Sequence, residues 1–99
     1  MSERHFYVYM VTNTFHNVIY TGMTNDLSRR IFEHIEKRGA KFPSRYKLTK
    51  LVYYELHYTA ESAIVREKKL KDWHRPWKDR LVTEFNPKWD DLFSLIAHG

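Results

Sequence analysis

Residues 5–22 constrain this chain more than any other stretch. Over residues 5–11 the side chains alternate, with Phe6, Val8 and Met10 pointing one way and Tyr7, Tyr9 and Val11 the other. Thr12-Asn13-Thr14 is turn material. Residues 18–22 form a second strand-type run, close enough to fold back on the first as an antiparallel hairpin. Each run carries a tyrosine near its end, in Tyr7-Val8-Tyr9 and Tyr20-Thr21-Gly22. Thr24-Asn25-Asp26 then offers helix N-cap chemistry, and a helix over 26–37 stops before Gly39. Two phenols, the Arg30 guanidinium and the His34 imidazole are thus spaced so that two strands and a helix could bring them together.

The rest of the chain completes a small α+β domain. Residues 39–50 read as a basic loop containing Lys41, Pro43, Arg45, Lys47 and Lys50. Residues 51–56 form a third strand, in which Tyr53 and Tyr54 point to opposite faces and serve packing. Thr59 caps a second helix from 60 to about 73, Pro76 breaks or starts a helix, and a third helix covers 77–85. Asn86-Pro87 is a turn, residues 89–97 add a last helical segment, and Trp73, Trp77 and Trp89 staple the C-terminal helices to the core. The expected architecture is a three-stranded antiparallel sheet flanked by helices, in the order β-β-α-β-α-α, with one domain spanning residues 1–99.

Composition excludes more than it assigns. There is no cysteine, hence no disulfide framework and no thiolate zinc site, which fits a reducing, cytoplasmic setting. The first five residues run directly into a strand with nothing that reads as a signal peptide. No apolar run approaches the roughly 18 residues needed to span a bilayer, so no membrane partner is expected. A net charge of +5 favours polyanions, either nucleic acid or an anionic membrane surface. The interleaved aromatics would serve base stacking or fill a small core.

Two helices carry polar groups where a core stripe should be. On the first, Leu27, Ile31 and Ile35 share a face with Arg30 and His34. Burying an unpaired cation costs several kcal/mol, so either this face meets a polar cleft or Arg30 snorkels at its edge. His34 is equally readable as an ordinary packed or exposed histidine. On the second helix Ala60, Ala63, Ile64 and Leu70 define the inner face, and Glu67 falls in the middle of that stripe. A carboxylate there needs a cation partner or a divalent metal.

Taken together, these residues resemble the GIY-YIG nuclease superfamily, in its small single-domain branch similar to the nuclease domain of the excision-repair incision subunit. Tyr7-Val8-Tyr9 stands where that family has Gly-Ile-Tyr, and Tyr20-Thr21-Gly22 where it has Tyr-Ile-Gly. Arg30 follows Tyr20 by ten residues, at the place of the family arginine. Glu67 in Arg66-Glu67-Lys68 matches the metal-binding glutamate, and Asn86 in Phe85-Asn86-Pro87 the late asparagine. Tyr7, Val8 and Thr21 depart from the two motifs without removing a reacting group. Met23 stands where the repair-subunit relatives carry a lysine.

The resemblance implies a metal-dependent DNA endonuclease, active in repair or recombination on branched or single-stranded DNA. One Mg²⁺ or Mn²⁺ would be held by Glu67, with Arg30 on a phosphate oxygen, Tyr20 as general base and Tyr9 positioning water or phosphate. His34 is an alternative base, since its ordinary pKa suits the task better than a phenol's. Gly22 and Asn86 are supporting residues; on spacing alone Asn86 also reads as a helix-ending Asn-Pro turn. Lys41, Arg45 and Lys47 would contact phosphates or simply form a solvated face. Specificity could come from a partner protein or a homodimer. Two other readings stay open: a nucleic-acid-binding module without catalysis, and a protein-interaction domain on the same scaffold.

Overall fold

The computed structural model describes residues 5–36 and 47–96. Strands β1 (Phe6–Thr12) and β2 (Ile19–Thr24) lead into helix α1 (Leu27–Glu36). Strand β3 (Lys50–His57) then leads into α2 (Ala60–Asp72), α3 (Arg75–Phe85) and the short α4 (Phe93–Ile96). The sheet is antiparallel throughout, in the order β2-β1-β3. The α+β architecture and the order of elements are as expected, with α3 beginning two residues earlier and the last helical segment, expected over 89–97, reduced to Phe93–Ile96. Pro76 lies in its first turn, where a missing N–H leaves no bond unmade.

β1 is the central strand, covered on both sides. Val8 to Thr12 are fully buried. Val8 and Met10 pack with Ala63 and Leu70 of α2 and Val82 of α3, while Tyr9 and Val11 pack with Leu27 and Ile31 of α1. The alternation read from the sequence therefore sorts β1 between two separate cores. Local capping starts the flanking helices. Asp26 Oδ1 accepts the Arg29 N–H at 3.2 Å, and Thr59 Oγ1 accepts that of Ser62 at 3.1 Å.

β3 keeps Tyr53 and Tyr54 on opposite faces, as expected, but carries an irregularity just before them. Its register shifts between Met10, opposite Tyr53, and Val11, opposite Leu51, leaving Val52 as the extra residue of a β-bulge. Val52 and Tyr53 consequently face the α2 side together, while Leu51 and Tyr54 face α1. The carbonyl of Val52 is taken up by Asn86, whose Nδ2 donates to it at 3.1 Å and to Asp90 O at 2.9 Å. Beside the bulge, Leu92 N–H donates to Leu51 O at 2.8 Å and Leu51 N–H to Asp91 Oδ1 at 3.1 Å, so the C-terminal segment covers the outer edge of β3.

Two packing expectations need correction. Ile64 is 40% exposed and does not belong to the inner face of α2. The helix is rotated so that Ala63 and Leu70 are buried while Arg66 and Glu67 are half-buried beside them. Trp73 and Trp89 pack on the core, but Trp77 is largely exposed and meets Trp73 and His74 edge to face, ring centroids 5.9 and 6.0 Å apart. Among the described residues no helix is long and apolar enough to cross a membrane.

Thr21, in β2, is buried on the α2 side, and its hydroxyl has no hydrogen-bond partner among the described residues. Such a hydroxyl costs about 1–3 kcal/mol. Thr21→Val is expected to stabilise the domain by about 1 kcal/mol, a rise of roughly 4–8 °C in Tm. Urea denaturation checks this, and a loss of stability would show that the hydroxyl is used.

Candidate active site

The hairpin register places Tyr9 opposite Gly22 and Val11 opposite Tyr20, all on the α1 face. A Cβ at position 22 would sit 2.7 Å from Tyr9 Oη, 2.8 Å from its Cζ and 3.0 Å from Tyr20 Cε2. Only glycine lets the Tyr9 ring lie across the neighbouring strand. The phenol then reaches α1, with Tyr9 Oη 3.3 Å from His34 Nε2. Tyr20 completes a three-ring cluster, its centroid 6.4 Å from Tyr9 and 5.4 Å from His34. Tyr9 and His34 are buried, while Tyr20 is half-buried and reaches solvent. Arg30 lies one turn before His34, half-buried, its Nε 3.3 Å from Glu33 Oε1.

Burial sets the protonation of this cluster. It pushes the Tyr9 phenol far above its ordinary range, and the proximity of Tyr20 adds to the rise. The Arg30 charge and hydrogen bond act in the opposite direction, and the Glu67 carboxylate is near enough to raise it further. Burial, reinforced by the Arg30 charge, lowers His34 to about 4 against the pull of Glu33. At neutral pH the pair is therefore a protonated phenol hydrogen-bonded to a neutral imidazole.

Glu67 belongs to α2, which packs on β1 and β2 from the opposite layer. Its half-buried carboxylate is 3.2 Å from the exposed Lys71 ammonium. No group of three or more His, Cys, Asp or Glu residues could hold a metal among the described residues. The donor set thus suits a largely hydrated hard cation, which needs only one or two protein carboxylates and completes its shell with water and substrate oxygens. It does not suit a closed structural metal site. Surface pairing with Lys71 is weak enough to be displaced.

The remaining sequence-derived residues fall elsewhere. Asn86, expected as a supporting residue, bonds to Val52 and Asp90 at the bulge, so its side chain serves the β3 edge and not the tyrosine cluster. Lys47 is exposed just before β3, and Lys41 and Arg45 lie outside the described residues. Met23 packs on the α2-side core, on the other face of β2 from Tyr20.

One hydrogen-bonded hub escaped the sequence reading. Glu55 accepts the Tyr53 hydroxyl, pairs with His57 at 2.5 Å, and takes Arg66 Nε on both oxygens at 3.2 and 3.1 Å. Burial raises its carboxyl, but these partners outweigh burial and hold it below its usual range. Arg66 immediately precedes Glu67, so the hub anchors α2 to β3 one residue from the acidic site. The signal was present: Tyr53, Glu55 and His57 recur at period two on one strand face.

A hairpin and a helix that converge two tyrosines, an arginine and a histidine, faced by one carboxylate from a second helix layer, make a small nuclease-type α+β domain. The family model for the GIY-YIG catalytic domain matches residues 5–80, and the chain belongs to that family. It is 32% identical over 82 residues to a UPF0213 protein of Bacillus pumilus, covering 83% of this chain and 84% of the relative. A UPF0213 protein of Haloquadratum walsbyi is 36% identical over 84 residues, covering 85% and 92%. The solution NMR structure of a UPF0213 protein from Bacillus halodurans superposes with a TM-score of 0.52 at 32% identity, over 80% of this chain and 83% of that one.

Two measurements test this geometry. Gly22→Ala forces the Tyr9 phenol off its position, and an overpacked core of this kind loses about 1–3 kcal/mol; the expected result is a lowered denaturation midpoint and altered Tyr9 and His34 NMR shifts. For His34, the unfolded imidazole titrates near 6.5 and the folded one near 4. Between those values the unfolded chain binds more protons, so stability falls as pH falls, by about 3 kcal/mol in all. His34→Gln should remove that slope from pH-dependent denaturation curves; an unchanged slope would assign it to other groups.

Proposed function

We propose that this chain hydrolyses phosphodiester bonds in DNA with the help of one divalent ion, Mg²⁺ or Mn²⁺. One observation supports this reading above the others. Tyr9, Tyr20 and His34 cluster on one face of the hairpin with Arg30 one turn before His34, and the half-buried Glu67 lies on the helix that packs against the same two strands. Packing alone does not require four polar groups to gather beside a small core.

In this reading the residues divide the chemistry. Tyr20, the tyrosine that reaches solvent, takes the proton of the attacking water. Tyr9, fully buried, sits beneath Tyr20 and, through its contacts with His34 Nε2 and the Arg30 guanidinium, holds the phosphate-binding side chain in place. His34, buried and neutral, holds the Tyr9 hydroxyl rather than touching water itself. Arg30 grips a non-bridging phosphate oxygen with its planar guanidinium. Glu67 would hold the ion, which when bound polarises the phosphate and stabilises charge on the departing oxygen. Repair or recombination, where branched and single-stranded DNA arise, is the setting we infer from the likeness to the excision-repair nuclease domain.

A second reading is DNA binding without turnover: Met23 stands where the repair-subunit relatives carry a lysine, and its side chain packs on the α2-side core. Nicking of branched or single-stranded DNA with Mg²⁺ or Mn²⁺ separates the two. Glu67→Gln and Tyr20→Phe are each expected to lower the rate by about 10²-fold or more, with little change in Tm. Wild-type cleavage by Glu67→Gln would falsify the assigned mechanism.

A further inference from the structure

Beside the site is a second hollow that the hydrolytic reading leaves unused. A cleft of about 460 Å³ is lined by Tyr7, Tyr54, Asn25, Asp26, Leu27 and Ile96 among others. A smaller hollow of about 90 Å³ lies against Arg30 and Glu33 and shares Asn25 and Asp26 with the cleft. Asn25 and Asp26 thus form a common wall between the phosphate-gripping guanidinium and the aromatic cleft. Asp26 precedes Arg30 by four residues, about 6 Å along the helix. Tyr54 pairs directly with Tyr9 across β1 and β3, about 5 Å away in the sheet. The cleft therefore adjoins the place where a scissile phosphate would sit.

We propose that this cleft binds one unpaired nucleobase of the substrate strand, next to the phosphate held by Arg30. Three features argue for a base. Tyr7 and Tyr54 meet edge to face, centroids 6.4 Å apart at 69°, and such aromatic walls suit stacking by any base. The Asp26 carboxylate repels a phosphate but accepts N–H groups from a base edge, and the Asn25 amide can both donate and accept. The volume lies within the range of small-ligand sites. A paired base cannot present its face to these walls without leaving its stack. The substrate class this selects is nucleic acid with an unpaired nucleotide flanking the cleaved bond. The proposal rests on the nuclease reading for its location, but its recognition chemistry is independent of catalysis.

The test uses the whole chain in EDTA, so that no cleavage occurs, with two probes. One is a duplex bearing a single-stranded overhang that carries 2-aminopurine, the other the same duplex with blunt ends. Wild type should quench the 2-aminopurine fluorescence. Tyr54→Leu should weaken overhang binding about tenfold, as loss of one stacked base does, while blunt-duplex affinity stays within about twofold and reports an intact fold. Tyr54→Phe, which keeps the ring, should bind both probes like wild type. No quenching, or equal effects of Tyr54→Leu on both probes, overturns the proposal. Selective loss in a protein that never cleaves with Mg²⁺ or Mn²⁺ sustains the cleft and removes the nuclease reading. Cleavage of blunt and overhanging DNA at equal rates, unchanged by Tyr54→Leu, does the reverse.

Discussion

Tyr9 can lie across β2 only because Gly22 has no side chain, and the polar half of the structure follows from that contact. Tyr9 belongs to the central strand, buried on both faces, so its hydroxyl cannot reach bulk water. A buried phenol needs a partner, and it finds one in His34 at 3.3 Å. That bond draws an imidazole into the core-facing stripe of α1 and carries Arg30, one turn earlier, to the same rim. The resulting cluster has little exposure and a low local dielectric, which is why the phenol rises and the imidazole falls in pKa together. Neither shift would survive if the ring stood out into solvent.

The proposed site draws on two layers on opposite sides of the sheet. Tyrosines, histidine and arginine stand on the α1 side, while Glu67 comes from the helix on the other side. The angle of that helix is held by the Glu55 hub, in which one carboxylate gathers Tyr53, His57 and Arg66. Arg66 also stands over the Trp73 ring at 5.5 Å, so its guanidinium is held by two neighbours. Fixing Arg66 fixes its neighbour Glu67. A single carboxylate can be presented in this way without the cluster of ligands that a closed metal site would need.

Much of this was legible along the chain. Period-two alternation assigned Phe6, Val8 and Met10 to one face of β1 and Tyr7, Tyr9 and Val11 to the other, as found. Asp26 and Thr59 announced their helices, and winding 26–37 at helical period put Arg30 and His34 beside Leu27 and Ile31. The misses share a cause. The bulge at Val52 inverts the face of every later β3 residue relative to Leu51, and no local pattern marks where a bulge falls. Ile64 looked like core because it is apolar and suitably spaced, but Arg66 and Glu67 took the half-buried positions through partners on other elements. Asn86 ends α3 as its Asn-Pro spacing indicates, but no local pattern shows that its amide also answers the Val52 carbonyl at the bulge.

By itself the sequence determined the elements, their order and which residues share a strand or helix face, because these depend on neighbours two to four positions apart. It also determined that a glycine stands at position 22, without showing what that glycine makes room for. Only the tertiary structure decided that Tyr9 crosses Gly22 to meet His34, that Glu67 approaches from the opposite layer, and that Tyr7 and Tyr54 wall a cleft beside Arg30. Those outcomes depend on cross-strand register, on a bulge and on the rotation of a packed helix. Each is settled by contacts between residues far apart in the chain, where burial and hydrogen-bond satisfaction outweigh local preference.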